Sequence, residues 1–271
     1  MVDGPLLDEL TTIVSAASAA ILEVRAGVVE AVTKADQSPV TAADHAAEAL
    51  ILDRLKQVLP GVPAVSEEAA GRAPPTKLAD TFILVDPLDG TREFIAGSNE
   101  FTVNLAIVTA GRPVLGIVAA PALGLIWRGT EREPAERLRL APGAPASAAR
   151  ERSPIRSRPW PSGGLIAAVS RSHRDARTQA LLARLPVTGE IVSGSAIKFC
   201  RVAEGSADLY PRLAPTCEWD VAAGHAVVAA AGGTVTTPEG MPLRYGQIAE
   251  SFRIPAFIAW GDPSKPMTGA G

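Results

Sequence analysis

The segment Asp86-Pro87-Leu88-Asp89-Gly90-Thr91, entered from the apolar run Phe82-Ile83-Leu84-Val85, constrains this chain more than any other. A short apolar run bounded by Pro and Gly reads as a buried strand that ends in a tight turn. Such a turn sets two carboxylates three positions apart, with the Leu88 carbonyl and the Thr91 hydroxyl beside them. Hard cations such as Mg2+ take a few rigidly placed oxygen ligands of this kind. Asp-Gly is also ordinary turn chemistry, so the hexapeptide alone leaves both readings open.

Other segments bear on the choice, and each has an ordinary alternative. Val62-Pro63-Ala64-Val65 runs into Ser66-Glu67-Glu68, a second strand ending in acids, or simply a charged loop. Ser38-Pro39-Val40-Thr41-Ala42-Ala43-Asp44 leads into a helix, where Thr41-x-x-Asp44 is also a capping-box pattern. Glu218-Trp219-Asp220-Val221-Ala222-Ala223-Gly224 opens another helix, closed at Gly232-Gly233. Any carboxylate in a first helical turn, Asp220 included, gains about 0.3–1 kcal/mol from the helix dipole. Gly194-Ser195-Ala196-Ile197-Lys198-Phe199-Cys200 offers a helix start, which suits a phosphate, as does the Gly90-Thr91 turn with its backbone N–H groups.

With 271 residues the chain can bury a large core, as one domain or two coupled halves. A hydrophobic share of 47% against 20% charged residues describes a compact chain rather than a disordered one. The formal net charge of −3 argues against a nucleic-acid polymer as partner. Cys200 and Cys217 form no C-x-x-C motif or disulfide framework, and Cys200 reads as a buried free thiol. No stretch reaches about 20 apolar residues, so no membrane span is expected. Asp3, Asp8 and Glu9 stand where a signal peptide would carry positive charge, which makes the expected location cytoplasmic.

Leu6 to Val24 has helical spacing, with Leu7, Leu10, Val14, Ala17 and Ile21 on one face. Thr41 caps a second helix with Ala47, Leu50, Ile51, Leu55 and Val58 on its apolar face, stopped by Pro60-Gly61. Strands are expected at 63–66, 81–86, 102–109 and 114–119. Residues 129–161 read as an exposed hairpin and linker in which Arg150, Arg152, Arg156 and Arg158 are solvated. The second half alternates: strand 165–169, helix 175–185, strand 188–192, helix 195–203, strand 207–210 and helix 218–231. The expected class is therefore α/β (α+β), and no internal repeat is present.

The acidic pair Glu67-Glu68, the string Asp86-Pro87-Leu88-Asp89-Gly90-Thr91 and the late Trp219-Asp220-Val221-Ala222-Ala223 occur in the order seen in the Mg2+-dependent phosphatase superfamily. That superfamily includes inositol monophosphatase, fructose-1,6-bisphosphatase and the bisphosphate nucleotidases. The chain resembles most the bacterial 3'(2'),5'-bisphosphate nucleotidases of the CysQ type. The strings that carry this are Asp86 to Phe94, Ser170-Arg171-Ser172-His173, Lys198 to Gly205, Leu209-Tyr210-Pro211-Arg212 and Trp219 to His225. It runs from about residue 5 to about 260 and lapses between Gly129 and Pro161.

The resemblance implies a layered α-β-α-β-α sugar-phosphatase fold. It implies a single catalytic domain over 1–271, with subdomains 1–150, holding most metal ligands, and 151–271 on the substrate side. It implies two or three Mg2+ ions held by Glu67, Asp86, the Leu88 carbonyl, Asp89 and Asp220, with Asp86 bridging and Glu68 supporting. Asp44 would hydrogen-bond Thr91, and Thr91 would orient the attacking water. Substrate contacts would come from Glu67, Leu88, Asp89, Gly90, Thr91, His173, Gly194, Ser195, Lys198 and Asp220, with Arg212 a further candidate. His45 and His225 receive no role.

The implied reaction is removal of the 3'-phosphate of adenosine 3',5'-bisphosphate, leaving AMP, in sulfur metabolism and with sensitivity to Li+. Inositol phosphates or sugar bisphosphates are the alternative substrates, and peripheral inner-membrane association is compatible with the resemblance. A catalytically silent nucleotide-binding regulator is the alternative from another class. It would have lost a metal ligand or Asp44 and Thr91, and this sequence has lost none. Oligomeric state is left open.

Overall fold

The computed structural model describes residues 3–27, 31–33, 39–171 and 175–264. Ser38, Ser172 and His173, named above, lie outside them. Helix α1 (Gly4–Arg25) starts on Asp3, whose carboxylate accepts the Leu6 N–H at 3.0 Å. Its expected face of Leu7, Leu10, Val14, Ala17 and Ile21 is buried. Strands β1 (Ala31–Thr33) and β2 (Pro39–Thr41) pair antiparallel, and α2 (Ala42–Val58) follows from the Thr41 capping box. Helix α1 is long and apolar enough to span a membrane by composition, but half of that stretch is buried within the fold.

The first sheet follows in chain order. Its strands are β3 (Ala64–Ser66), β4 (Thr81–Asp89), β5 (Thr102–Thr109), β6 (Arg112–Ala120), β7 (Leu125–Thr130), β8 (Glu136–Arg139) and β9 (Glu151–Pro154). Their spatial order is their sequence order, antiparallel throughout except β3 beside β4. Two short helices interrupt it, α3 (Glu67–Arg72) and α4 (Thr91–Ile95). The second half supplies β10 (Leu165–Ser170), α5 (Ala176–Ala183), β11 (Val187–Ser193), α6 (Ile197–Ala203), β12 (Leu209–Arg212), β13 (Thr216–Cys217), α7 (Glu218–Ala230), β14 (Thr234–Thr236), β15 (Arg253–Ile254) and β16 (Phe257–Trp260). Five of these strands make the second sheet, in the order β11-β10-β12-β16-β14.

The layers follow from which side chains are buried together. On one face of the first sheet Ile83, Val85, Val103, Leu105 and Ile117 pack against α1 and α2. Phe82, Leu84, Ala106 and Val118 on the other face meet Phe199 of α6 and Ala222, Ala223 and Val227 of α7. The same cluster reaches Tyr210, Phe257 and Ala259 of the second sheet. Beyond that sheet, Leu165, Ala167, Val169 and Trp260 cluster with Leu182 of α5. The result is the α-β-α-β-α stack that the resemblance implied. A strand covered on both faces needs an unbroken apolar run, which is why β4 reads Phe82-Ile83-Leu84-Val85.

Two expectations need correction. Residues 129–161 do contain a hairpin, β8 with β9, but it is no exposed linker: it extends the first sheet beyond β7, and Ala135, Leu138, Leu140 and Ala146 are buried. The strands are short, and the only signal was the alternation Arg137-Leu138-Arg139-Leu140. Nor are all four arginines free in solvent. Arg158 grips Asp208 with two hydrogen bonds of 2.6 and 2.8 Å, and Arg152 donates to the Ala146 carbonyl at 3.0 Å. The second correction concerns Asp86 to Thr91, which is not a simple tight turn after a strand ending at 86.

Candidate active site

Strand β4 continues through Asp89. Asp86 pairs with Asn104 and Asp89 with Thr102, so three steps on β4 oppose two on β5. This bulge places Pro87, which has no N–H to give, where no ladder bond is needed. It also turns Asp86 and Asp89 toward one cleft. Gly90 then takes φ 89°, and a Cβ there would collide with Ser195 Oγ. Only glycine fits both the left-handed backbone and the close approach. Thr91 opens α4 directly.

Asp86 is 1% exposed, and its Oδ1 accepts the Leu88 N–H at 3.0 Å. Burial pushes its pKa well above the ordinary carboxylate range, and the charges of Glu67, Asp89, Asp220 and Asp44 push it further. Burial likewise raises Asp89 to about 6, with Asp220 adding to the rise and Lys198 and Arg212 opposing it. Asp220 sits in the first turn of α7 and accepts the Cys217 N–H at 3.1 Å and the Thr216 hydroxyl. Its helix-capping role and its place in the cleft therefore coexist. Glu218 beside it is fully buried and accepts the N–H groups of Gly246 at 2.6 Å and Gln247 at 2.8 Å, which ties the start of α7 to the loop opposite.

Asp44 also has two roles at once. Its Oδ2 accepts the Thr41 N–H and hydroxyl, both at 2.7 Å, while Oδ1 stands 3.2 Å from the Thr91 hydroxyl. Burial raises its pKa. Thr91 Oγ1 lies 3.1 Å from the Leu88 carbonyl as well.

The cleft, of about 230 Å³, is lined by Glu67, Asp86, Leu88, Asp89, Gly90, Thr91, Ser195, Lys198 and Asp220 among others. Asp44 stands behind Thr91 rather than on the surface. Gly194 is set back from the cleft, with its N–H given to Glu100 Oε2 at 3.0 Å. Ser195 adopts φ 49° and directs its hydroxyl to the carbonyls of Asp89 at 2.9 Å and Glu100 at 3.0 Å, which joins the two halves of the chain. Lys198 is buried on α6, its Nζ 2.6 Å from the Ser195 carbonyl, and burial lowers its pKa to about 8 against the opposing pull of Asp89. Arg212 shares this wall, and its Nε is buried with no hydrogen-bond partner.

Among the described residues, no group of three or more His, Cys, Asp or Glu side chains is placed ready to hold a metal ion. The chemistry of the donor set still fits one. Carboxylates that raise one another's pKa while buried are short of positive charge, and all the donors are hard oxygens. Sequence reasoning missed Glu93, which is 8% exposed and lines the cleft from α4, and Tyr210, whose ring lies 5.2 Å below Lys198 Nζ. Both fall inside strings quoted above, but neither carries a chemical signature on its own.

Residues 6–254 match the inositol monophosphatase family. The 3'(2'),5'-bisphosphate nucleotidase CysQ of Escherichia coli K12 is 41% identical over 254 residues, 93% of this chain and 98% of that protein. The crystal structure of CysQ from Bacteroides thetaiotaomicron superposes with a TM-score of 0.77 at 33% identity, covering 94% of this chain and 96% of that one. An inositol monophosphatase from Zymomonas mobilis gives a TM-score of 0.72 at 25% identity over 94% and 92%. The family match covers nearly the whole length of the chain, which therefore belongs to the inositol monophosphatase family.

Proposed function

We propose that this chain is a metal-dependent 3'(2'),5'-bisphosphate nucleotidase that removes the 3'-phosphate of adenosine 3',5'-bisphosphate, leaving AMP. The observation that carries the reading is one cleft that holds buried groups of both charges. Glu67, Asp86, Asp89 and Asp220 line it together with Lys198 and Arg212. The nucleotidase relatives supply the substrate class.

Glu67, Asp86, the Leu88 carbonyl, Asp89 and Asp220 would hold Mg2+, as two or three ions. When bound, such ions polarise the phosphoryl oxygens and lower the pKa of a water. The chain's own part is to position that water. A Thr91 hydroxyl that donates to Asp44 keeps its lone pairs free to accept from a water, and so fixes the direction in which the water's own lone pair points. Asp44 is held rigid by the capping box, so Thr91 has one orientation rather than several. Lys198 and Arg212 would face the phosphate that stays, a contact that needs charge but no chemistry. The cellular role that follows is disposal of a by-product of sulfate activation, in the cytoplasm, with inhibition by Li+.

A phosphate-release panel in Mg2+ tests this. Adenosine 3',5'-bisphosphate should exceed inositol 1-phosphate and fructose 1,6-bisphosphate in kcat/KM by at least tenfold. A preference for inositol 1-phosphate would instead make the chain a monophosphatase of the same family.

A further inference from the structure

Glu48 lies one turn beyond Asp44 on α2, so the two carboxylates share a face of that helix. Both are buried, at 4% and 1% exposure. Asp44 reaches Thr91; Glu48 reaches α3. Its Oε1 accepts the Ser66 hydroxyl in a short hydrogen bond and the Ala69 N–H at 3.0 Å, and Oε2 pairs with the Arg72 guanidinium at 3.0 Å. These donors run from the residue before α3 to its last residue.

A helix of six residues does not hold itself together in water. The Ser66 side chain does not cap α3; its hydroxyl goes to Glu48 instead. Glu48 therefore does from a neighbouring helix what a capping side chain does locally. Glu67 is the first residue of α3, enclosed between the Ser66 and Ala69 contacts, and its side chain lines the cleft. Arg72 is 61% exposed, so its ion pair contributes little and the Oε1 contacts dominate.

We propose that Glu48 is a positioning residue for Glu67, and that it sets how tightly the cleft holds a divalent cation. The inference rests on the reading of Glu67 as a metal ligand. On one rigid helix, then, Asp44 orients the residue that positions water and Glu48 orients a ligand, so α2 keeps the two in register.

The test is calorimetric titration of Mg2+ or Mn2+ into the metal-free full-length protein without substrate. It compares wild type, Glu67→Gln, Glu48→Ala, Glu48→Gln and Ser66→Ala, with thermal melts alongside. Loss of a residue that orients a metal ligand typically weakens binding about 10–100-fold. Glu48→Ala should weaken it at least about tenfold, approaching Glu67→Gln. Glu48→Gln keeps an oxygen acceptor for Ser66 and Ala69 and should stay within about threefold of wild type. A merely structural Glu48 would lower the melting temperature and leave the metal affinity unmoved. If Glu67→Gln weakens binding and Glu48→Ala does not, the proposal is overturned while the metal reading stands. If Glu67→Gln binds as wild type does, the metal reading fails first. Equal weakening by Ala and Gln would overturn positioning in favour of a charge effect. Should Glu48→Ala fail to fold, Ser66→Ala decides: an affinity about fivefold weaker supports the clamp, and an unchanged one overturns it.

Discussion

The β4–α4 side of the cleft and its α6–β12 side are both buried and both charged, but with opposite sign. On the first, Asp86 and Asp89 are held with pKa values pushed up by burial and by neighbouring acids. On the second, Lys198 is pushed down to about 8 by burial, and the buried Arg212 Nε has no partner. Neither wall is satisfied alone, although Asp89 and Lys198 partly offset each other. Ordinary cores avoid such groups or pair them. Under the proposed function the difference has a use: the acid side would receive cations and the basic side an anion.

The acid side should be the more fragile in function and the less stable in itself. Chelation should abolish phosphate release, and Mg2+ should restore it. Asp89→Asn should lower kcat on the order of a thousandfold or more. The same variant should melt higher than wild type when both are metal-free, by on the order of 3 °C, because a repelled buried charge is gone. The sign follows from its shift. Asp89 is raised from 3.8 to about 6, so the folded state binds the extra proton between those values. Its stabilising share is present below 3.8 and lost as the pH rises through 6. A metal-free Asp89→Asn protein that melts lower would break the comparison.

Thr91→Ala comes next, since under the proposed function it would remove a contact to the water and no charge. It should lower kcat about a hundredfold with KM within about threefold; a rise in KM alone would move Thr91 to the substrate. Lys198→Ala then sharpens the basic side. The expected loss is about 1.5–3 kcal/mol in kcat/KM for adenosine 3',5'-bisphosphate, roughly ten- to a hundredfold. A substrate bearing only the scissile phosphate should be little affected. If both suffer equally, Lys198 serves the acid wall or the fold.

The smallest effect separates acid damage to the fold from acid damage to the site. Burial lowers His225 from 6.5 to about 4, and its Nδ1 lies 2.8 Å from the Tyr245 hydroxyl. Between those pH values the unfolded chain takes up the proton and the folded one does not, so stability falls as the pH drops through that window. His225→Asn should flatten melting temperature against pH between 6.5 and 4, even if it lowers the curve as a whole. An unchanged slope would place the acid sensitivity elsewhere.

Local chemistry was legible in the sequence wherever the deciding partners were near in the chain. The α2 capping box was readable because Thr41 and Asp44 are three apart, and the face of α1 because its apolar residues repeat. The layered fold, and Asp44 reaching Thr91, came from the resemblance. What stayed hidden depends on distant partners. Helix α3 is too short to announce itself and is held from α2. Arg158 looked like linker charge because Asp208 lies fifty residues on. Ser195 looked like a phosphate grip, yet its hydroxyl is directed to carbonyls about a hundred residues earlier. The β4 bulge was invisible because a turn and a bulge use the same residues.

Helix α7 packs so closely on β6 that a Cβ on Gly116 would collide with the Ala223 carbonyl. This closeness has a consequence in time. A chain made at about 5–20 residues per second presents Asp44 and Thr91 roughly six to twenty-six seconds before Trp219-Asp220 follows. Once β9 is made, the first sheet has its strands but not yet α7, which supplies part of the cover for Phe82, Leu84 and Val118. Helix α7 then brings Ala222, Ala223 and Val227 to that face and Asp220 to the cleft. Part of the sheet's cover and the last of the cleft carboxylates therefore come from the same helix, and a product cut short before residue 218 would lack both.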